Sequence, residues 1–237
     1  LGHTWASGKR IIELVRAKGL PMAVPHGLLS RPHSREILKR VHGGEIGELK
    51  LVEIECAKWD IINAGIHWLN YFVTLTRNEP LASVLAQCDT STRTFRDGMQ
   101  VETVAVTYAQ TKGGVRVVMQ TGDDVVPNRA DKSFLFRVIG TEGMIEVWGW
   151  EGSYRLVNPQ YPKGESFTPA ATCATGHQWH LEHIAGMIDS GKADYAIPES
   201  SLMALELCEG AYVSSRNGCR VTLPLDRFTP PAKNDWN

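Results

Sequence analysis

Five short apolar runs crowded into one stretch, at 81–88, 101–109, 115–121, 133–139 and 144–148, constrain the fold of this chain most. Each is rich in β-branched or aromatic residues and bounded by turn formers. Gly113-Gly114 joins the second run to the third, and Thr141-Glu142-Gly143 separates the last two, connections short enough for hairpins. Parallel neighbours need crossovers of about a dozen residues or more, so strands this close imply a largely antiparallel sheet. One more strand is expected at 49–57, where Val52, Ile54 and Cys56 alternate with Glu53 and Glu55.

The flanks read as helical. Residues 7–18 form an expected helix with Ile11, Ile12, Leu14 and Val15 inward and Gly19 as its stop. The apolar run 20–24 then reads as a strand, giving one helix-then-strand unit that cannot make a doubly wound sheet alone. Residues 26–32 read as a loop. Ser34 is the expected cap of a helix carrying Ile37, Leu38 and Val41, closed by Gly43-Gly44. Residues 158–176, rich in Pro, Gly, Thr and Ala, read as a long loop, a length often used for lids or subunit contacts. A helix at 178–189 carries Leu181, Ile184, Met187 and Ile188. Another begins near Pro198 and turns Leu202, Leu205, Cys208, Ala211 and Tyr212 inward. A last strand at 220–225 leads into a polar tail. The expected class is α+β: an open, mostly antiparallel sheet with helices on one face.

A net charge of −1 gives no support for a nucleic-acid or membrane-surface partner. No run approaches the ~18 apolar residues of a membrane span. The chain starts at Leu1 with no signal-peptide pattern, so a natural N-terminus and any targeting signal are expected to lie upstream. Five scattered cysteines without a CxxC read as reduced thiols of a cytoplasmic protein.

The chemistry concentrates on residues 63–72. Ile66, Leu69, Phe72 or Val73, and Leu75 have helical spacing, with Asn63 as the expected N-cap. Asn63 and His67 are then one turn apart on one face. A His where a strand gives way to a helix is well placed to face a pocket, although the same pattern fits a His satisfied by backbone or water. Lys58, Trp59 and Asp60 just before it would suit a carbohydrate, which needs hydroxyl partners and a flat apolar face. Arg31, Arg93 and Arg96 fall on expected loops and read as solvated. His177, His180 and His183 fan over part of a helix and could meet at a metal. No second acidic cluster lies near them, so the expectation is a pocket rim or a solvated helix start, without metal. Walker, GxGxxG, HExxH, GxSxG and EF-hand patterns are absent. Gly43, Gly44 and Gly47 lie between a helix and a strand, the wrong order for a dinucleotide fingerprint.

Four segments together resemble the glucose-fructose oxidoreductase/inositol dehydrogenase (Gfo/Idh/MocA) family: Gly44-Glu45-Ile46-Gly47-Glu48-Leu49, Asn63-Ala64-Gly65-Ile66-His67, Ile139-Gly140-Thr141-Glu142-Gly143-Met144-Ile145, and Glu209 through Pro224. The resemblance implies a substrate and oligomerisation domain at 28–237, preceded at 1–27 by the last helix and strand of a dinucleotide-binding Rossmann domain. It implies an oxidoreductase moving hydride between NAD or NADP and a sugar or polyol carbon, and a homo-oligomer built through the open sheet. The family's Asp-x-x-x-His motif falls on Asn63 to His67. This makes His67 the expected acid/base and Asn63 its orienter, with Lys58, Trp59 and His180 as pocket residues. Asn63 replaces the usual Asp, and an amide offers no charge to stabilise an imidazolium. The Gly-rich loop and catalytic Lys of the family would lie upstream of Leu1, so no cofactor is expected to bind the chain as given. The alternatives are an NAD-dependent glycosidase of the same family and a cofactor-free sugar-binding or oligomerisation module.

Overall fold

The computed structural model describes residues 1–127, 131–171 and 175–230. Nine strands form one mixed sheet: β1 (Leu49–Ala57), β2 (Leu81–Asp89), β5 (Val104–Thr111), β6 (Arg116–Gly122), β7 (Phe134–Gly140), β8 (Met144–Trp148), β9 (Tyr154–Val157), β10 (Glu165–Phe167) and β11 (Val221–Thr222). Their spatial order is β10-β9-β8-β7-β1-β6-β5-β2-β11, and β3 (Thr94–Arg96) pairs with β4 (Met99–Val101) as a separate hairpin. Only β1 and β6 run parallel; every other neighbouring pair is antiparallel. The hairpin signals therefore read correctly. β1 enters the middle of the sheet between β7 and β6, a placement no local pattern specifies.

One sheet face is the core. Val52, Ile54 and Cys56 of β1 point there with Val84, Ala109, Val117, Met119, Phe136 and Val138, all buried. Two helices cover it, α4 (Ile66–Leu75) and α6 (Ala196–Asn217). α4 buries nearly its whole surface: Trp68, Asn70 and Tyr71 join the expected Leu69, Phe72, Val73 and Leu75. α6 lies against β2 so closely that a Cβ at Gly210 would come within 2.7 Å of Val84 Cγ1. There Ser214 and Ser215 accept hydrogen bonds from the Ala86 and Cys88 N–H groups. Because β11 is only two residues long, these serines satisfy edge donors of β2 that no strand reaches. On the opposite sheet face Leu85 and Val106 stay exposed.

Several expectations change in tertiary context. α1 (Trp5–Ala17) ends as read: Gly19 takes φ +63°, and its N–H and that of Leu20 reach the Arg16 and Val15 carbonyls. Its buried face is instead Trp5, Gly8 and Ile12, leaving Ile11 and Leu14 exposed. Residues 20–24 are not a strand, because no described strand lies alongside to complete a ladder. The expected loop 26–32 holds a four-residue turn of helix, α2 (Gly27–Ser30). α3 (Pro32–His42) starts at Pro32 with Arg31 as N-cap, so Ser34 is inside it. The expected loop 158–176 contributes β10, and its residues 172–174, Cys173 included, lie outside the described residues, as does the tail 231–237. α5 (Gly176–Ser190) buries His180 and Met187 but leaves Leu181 and Ile188 more than 60% exposed. The strand expected at 220–225 is reduced to β11.

Candidate active site

β1 leaves the sheet at Ala57, and the chain reaches α4 through one π-type turn, Ile61–Gly65. Asp60 builds that turn. Fully buried, its carboxylate accepts the Asn63 N–H at 2.8 Å and the Asn63 Nδ2–H at 3.1 Å, with Arg96 Nη1 3.7 Å away. The N-cap is thus Asp60, not Asn63, and Arg96 is an ion-pair member rather than a solvated residue. Glu102, pushed above the usual carboxylate range by burial, accepts the Ile61 N–H at 2.7 Å and the Tyr212 hydroxyl at 2.8 Å. Gly65 packs close to β6, where a Cβ would sit 3.0 Å from Met119 Cε. π-turns recur at functional sites because they displace a side chain from the helical series. Here the turn places Asn63, Ala64 and His67 along one cavity.

That cavity has a volume of about 290 Å³, and Trp59, Trp68, Trp150 and Arg31 complete its polar and aromatic lining. Trp150, between β8 and β9, packs edge-on to Phe134 at 4.5 Å and carries the Arg31 guanidinium over its ring at 4.6 Å. Lys58 is exposed, with φ +66°, and does not line the cavity. His180 is buried outside it, donating from Nε2 to the His26 carbonyl at 3.2 Å. His177 and His180 border an adjoining cavity. Among the described residues no three His, Cys, Asp or Glu side chains are grouped to hold a metal.

His67 meets a residue that local reasoning overlooked. His26, 3% exposed, places Nδ1 2.9 Å from His67 Nδ1 and Nε2 2.9 Å from Ser201 Oγ. The proton positions follow from counting hydrogens. The Ser201 hydroxyl donates to the Ile197 carbonyl at 2.7 Å, so it accepts from His26 Nε2–H. Neutral His26 then has an unprotonated Nδ1, which accepts from His67 Nδ1–H. His67 is left with its lone pair on Nε2. Neutrality is enforced electrostatically: burial, then the neighbouring His67, hold His26 down at about 3, and burial also lowers the His67 pKa. Asn63, the expected orienter, hydrogen-bonds Asp60 instead, and the orienting partner of His67 is His26. The two rings are 41 positions apart in sequence, so no spacing signal linked them.

No family model and no curated protein matches this chain by sequence. Solved structures do match it. Aldose-aldose oxidoreductase from Caulobacter crescentus, complexed with glycerol, is 20% identical with a TM-score of 0.76, covering 93% of this chain and 69% of its own. Levoglucosan dehydrogenase, in complex with NADH and levoglucosan, has a TM-score of 0.76 at 13% identity, covering 93% of this chain and 71% of its own. An oxidoreductase from Agrobacterium radiobacter in complex with NAD+, L-tartaric acid and magnesium follows at 0.73 and 16%, over 93% and 70%. The chain shares the fold of these oxidoreductases over about 70% of their length, as the resemblance implied. Among the described residues there is no strand–glycine turn–helix cradle of the kind that holds a dinucleotide. Nor is any described helix long and apolar enough to cross a membrane.

Proposed function

We propose that this chain is the substrate domain of an NAD- or NADP-dependent oxidoreductase acting on a sugar or polyol hydroxyl carbon. The observation that carries the reading is the His67 imidazole, held at Nδ1 by His26 with its Nε2 lone pair free at a cavity walled by tryptophans. A neutral imidazole facing a cavity is a competent acceptor for a hydroxyl proton as the carbon is oxidised, and its conjugate acid returns the proton in reduction. Asn63 orients the substrate rather than the imidazole: its NH2 is committed to Asp60, which leaves Oδ1 to accept from a sugar hydroxyl. Trp59 supplies the flat face on which a sugar ring stacks. The electron partner, a nicotinamide dinucleotide as named for two of the neighbours, would be bound outside the described residues. The open sheet face bearing Leu85 and Val106 is the surface through which a homo-oligomer would form. A cytoplasmic location accords with the free thiols of Cys56, Cys88, Cys208 and Cys219.

The test is nicotinamide reduction by the protein as its source cell makes it, over a panel of sugars and polyols. His67→Asn should lower kcat by about 10² to 10⁴, the usual worth of a positioned acid/base, with a smaller change in KM. Full activity of that variant would remove the acid/base assignment. Sugar binding without any cofactor reduction would favour the binding-module reading. Cleavage of a glycoside would favour the glycosidase.

A further inference from the structure

Among the described residues Arg31 is the one permanently charged side chain lining the His67 cavity, and none of them gives it a carboxylate partner. Three other partly buried guanidinium groups are neutralised. Arg40 pairs with Glu36 and Glu45, Arg96 with Asp60 and Asp123, and Arg137 with Glu53 and Glu146. The contrast is visible in their acidities: carboxylate hydrogen bonds raise Arg40 and Arg137, whereas burial alone acts on Arg31 and lowers it. Its companion is the Trp150 face, 4.6 Å from Cζ, and it helps to hold buried His33 neutral, at about 4. A guanidinium remains charged throughout the accessible pH range, so the cavity wall carries an unbalanced positive charge with its donors unspent. Half-desolvated cations of this kind gain strongly from an anionic partner.

We infer that the ligand of this cavity is a small polyol bearing one carboxylate, of the aldonate or uronate class, with the carboxylate on Arg31. This rests on the reading of the cavity as a substrate site. The hydroxylated carbons would lie between Trp59 and Trp150, with the reacting hydroxyl at His67 Nε2. A planar guanidinium matches a carboxylate by two parallel N–H···O bonds. The surroundings suit a carboxylate better than a phosphate. Among the described residues no lysine lines the cavity, and the first residue of α3, next to Arg31, is Pro32, which has no N–H to offer. A volume of about 290 Å³ is at the small end for ligand pockets and suits a single short sugar.

Three of the chain's tryptophans line the cavity, so intrinsic fluorescence reports occupancy. D-gluconate, D-glucose and D-glucose 6-phosphate would be titrated into the protein and into Arg31→Gln and Arg31→Lys variants. A charge-assisted pair of hydrogen bonds predicts gluconate binding about 10- to 100-fold tighter than glucose. Arg31→Gln should erase that difference, and Arg31→Lys should keep part of it. Equal affinity for gluconate and glucose, no binding of either, a preference for the phosphate, or a gluconate preference that survives in Arg31→Gln would each overturn the proposal. Because these titrations need no nicotinamide, they separate the two readings. Gluconate binding without hydride transfer would uphold the anion site and sink the oxidoreductase. Turnover of neutral polyols with no anion preference would do the reverse.

Discussion

His26→Ala offers the sharpest test of the histidine pair, because its cost must depend on pH. At neutral pH the substitution leaves His67 Nδ1–H without its acceptor in a buried site and opens a void. Each unsatisfied buried group costs about 1–3 kcal/mol. The pH dependence follows from linkage. His26 titrates near 6.5 in an unfolded chain and at about 3 in the folded protein, so the unfolded state binds its proton first. The stability tied to neutral His26 is therefore complete above about pH 6.5 and drains as pH falls towards 3, at about 1.4 kcal/mol per pH unit. At pH 5 the loss has run for about 1.5 units, or about 2 kcal/mol. His26→Ala cannot lose it, while buried His33 contributes its own acid sensitivity to both proteins and cancels. Urea denaturation of wild type and His26→Ala at pH 7 and pH 5 supplies the four free energies. The stability gap between them should shrink by about 2 kcal/mol from pH 7 to pH 5. A gap that does not change with pH would mean that His26 is not buried in its neutral form, and the proton assignment built on it would fall.

The remaining predictions concern the same region. In 15N NMR near pH 7, His67 should show a protonated-type Nδ1 and an unprotonated-type Nε2, and His26 the same tautomer pattern as its bond to Ser201 requires, Nε2 protonated and Nδ1 not. The reverse pattern on His67 would place the lone pair away from the cavity. Because burial lowers the His67 pKa, oxidation rates should hold as pH falls through the ordinary His range and decline only below it. A kcat profile breaking at or above pH 6.5 would contradict a buried neutral base.

Periodicity and turn chemistry carried most of the sheet. β1 was expected with its observed bounds, and Gly113-Gly114 and Thr141-Glu142-Gly143 marked true connections, because alternation and tight turns are written over neighbouring residues. Asn63 and His67 were legible as neighbours on one face for the same reason. Capping was harder. Asp60 captured the Asn63 N–H because the chain makes a π-turn between β1 and α4, and nothing local distinguishes that from a plain helix start.

What tertiary structure alone decided was which distant groups meet. The run 20–24 has strand composition but finds no partner, and strand propensity without a ladder leaves backbone groups unpaired. Ile11, Leu14, Leu181 and Ile188 have helical apolar spacing, yet burial depends on what lies opposite, and they stay exposed. His26 lay in an expected loop and Arg31 in a set expected to be solvated. Packing of α2, α4 and α6 made the first a hydrogen-bond partner of His67 and placed the second, without a counter-ion, on the cavity wall. Sequence alone determined the hairpin-connected strands and the strand-to-helix change ahead of His67, since both rest on contacts a few residues apart. The proton on His67 and the charge of the pocket are set by groups brought together across 41 positions and more, and only the folded chain specifies those.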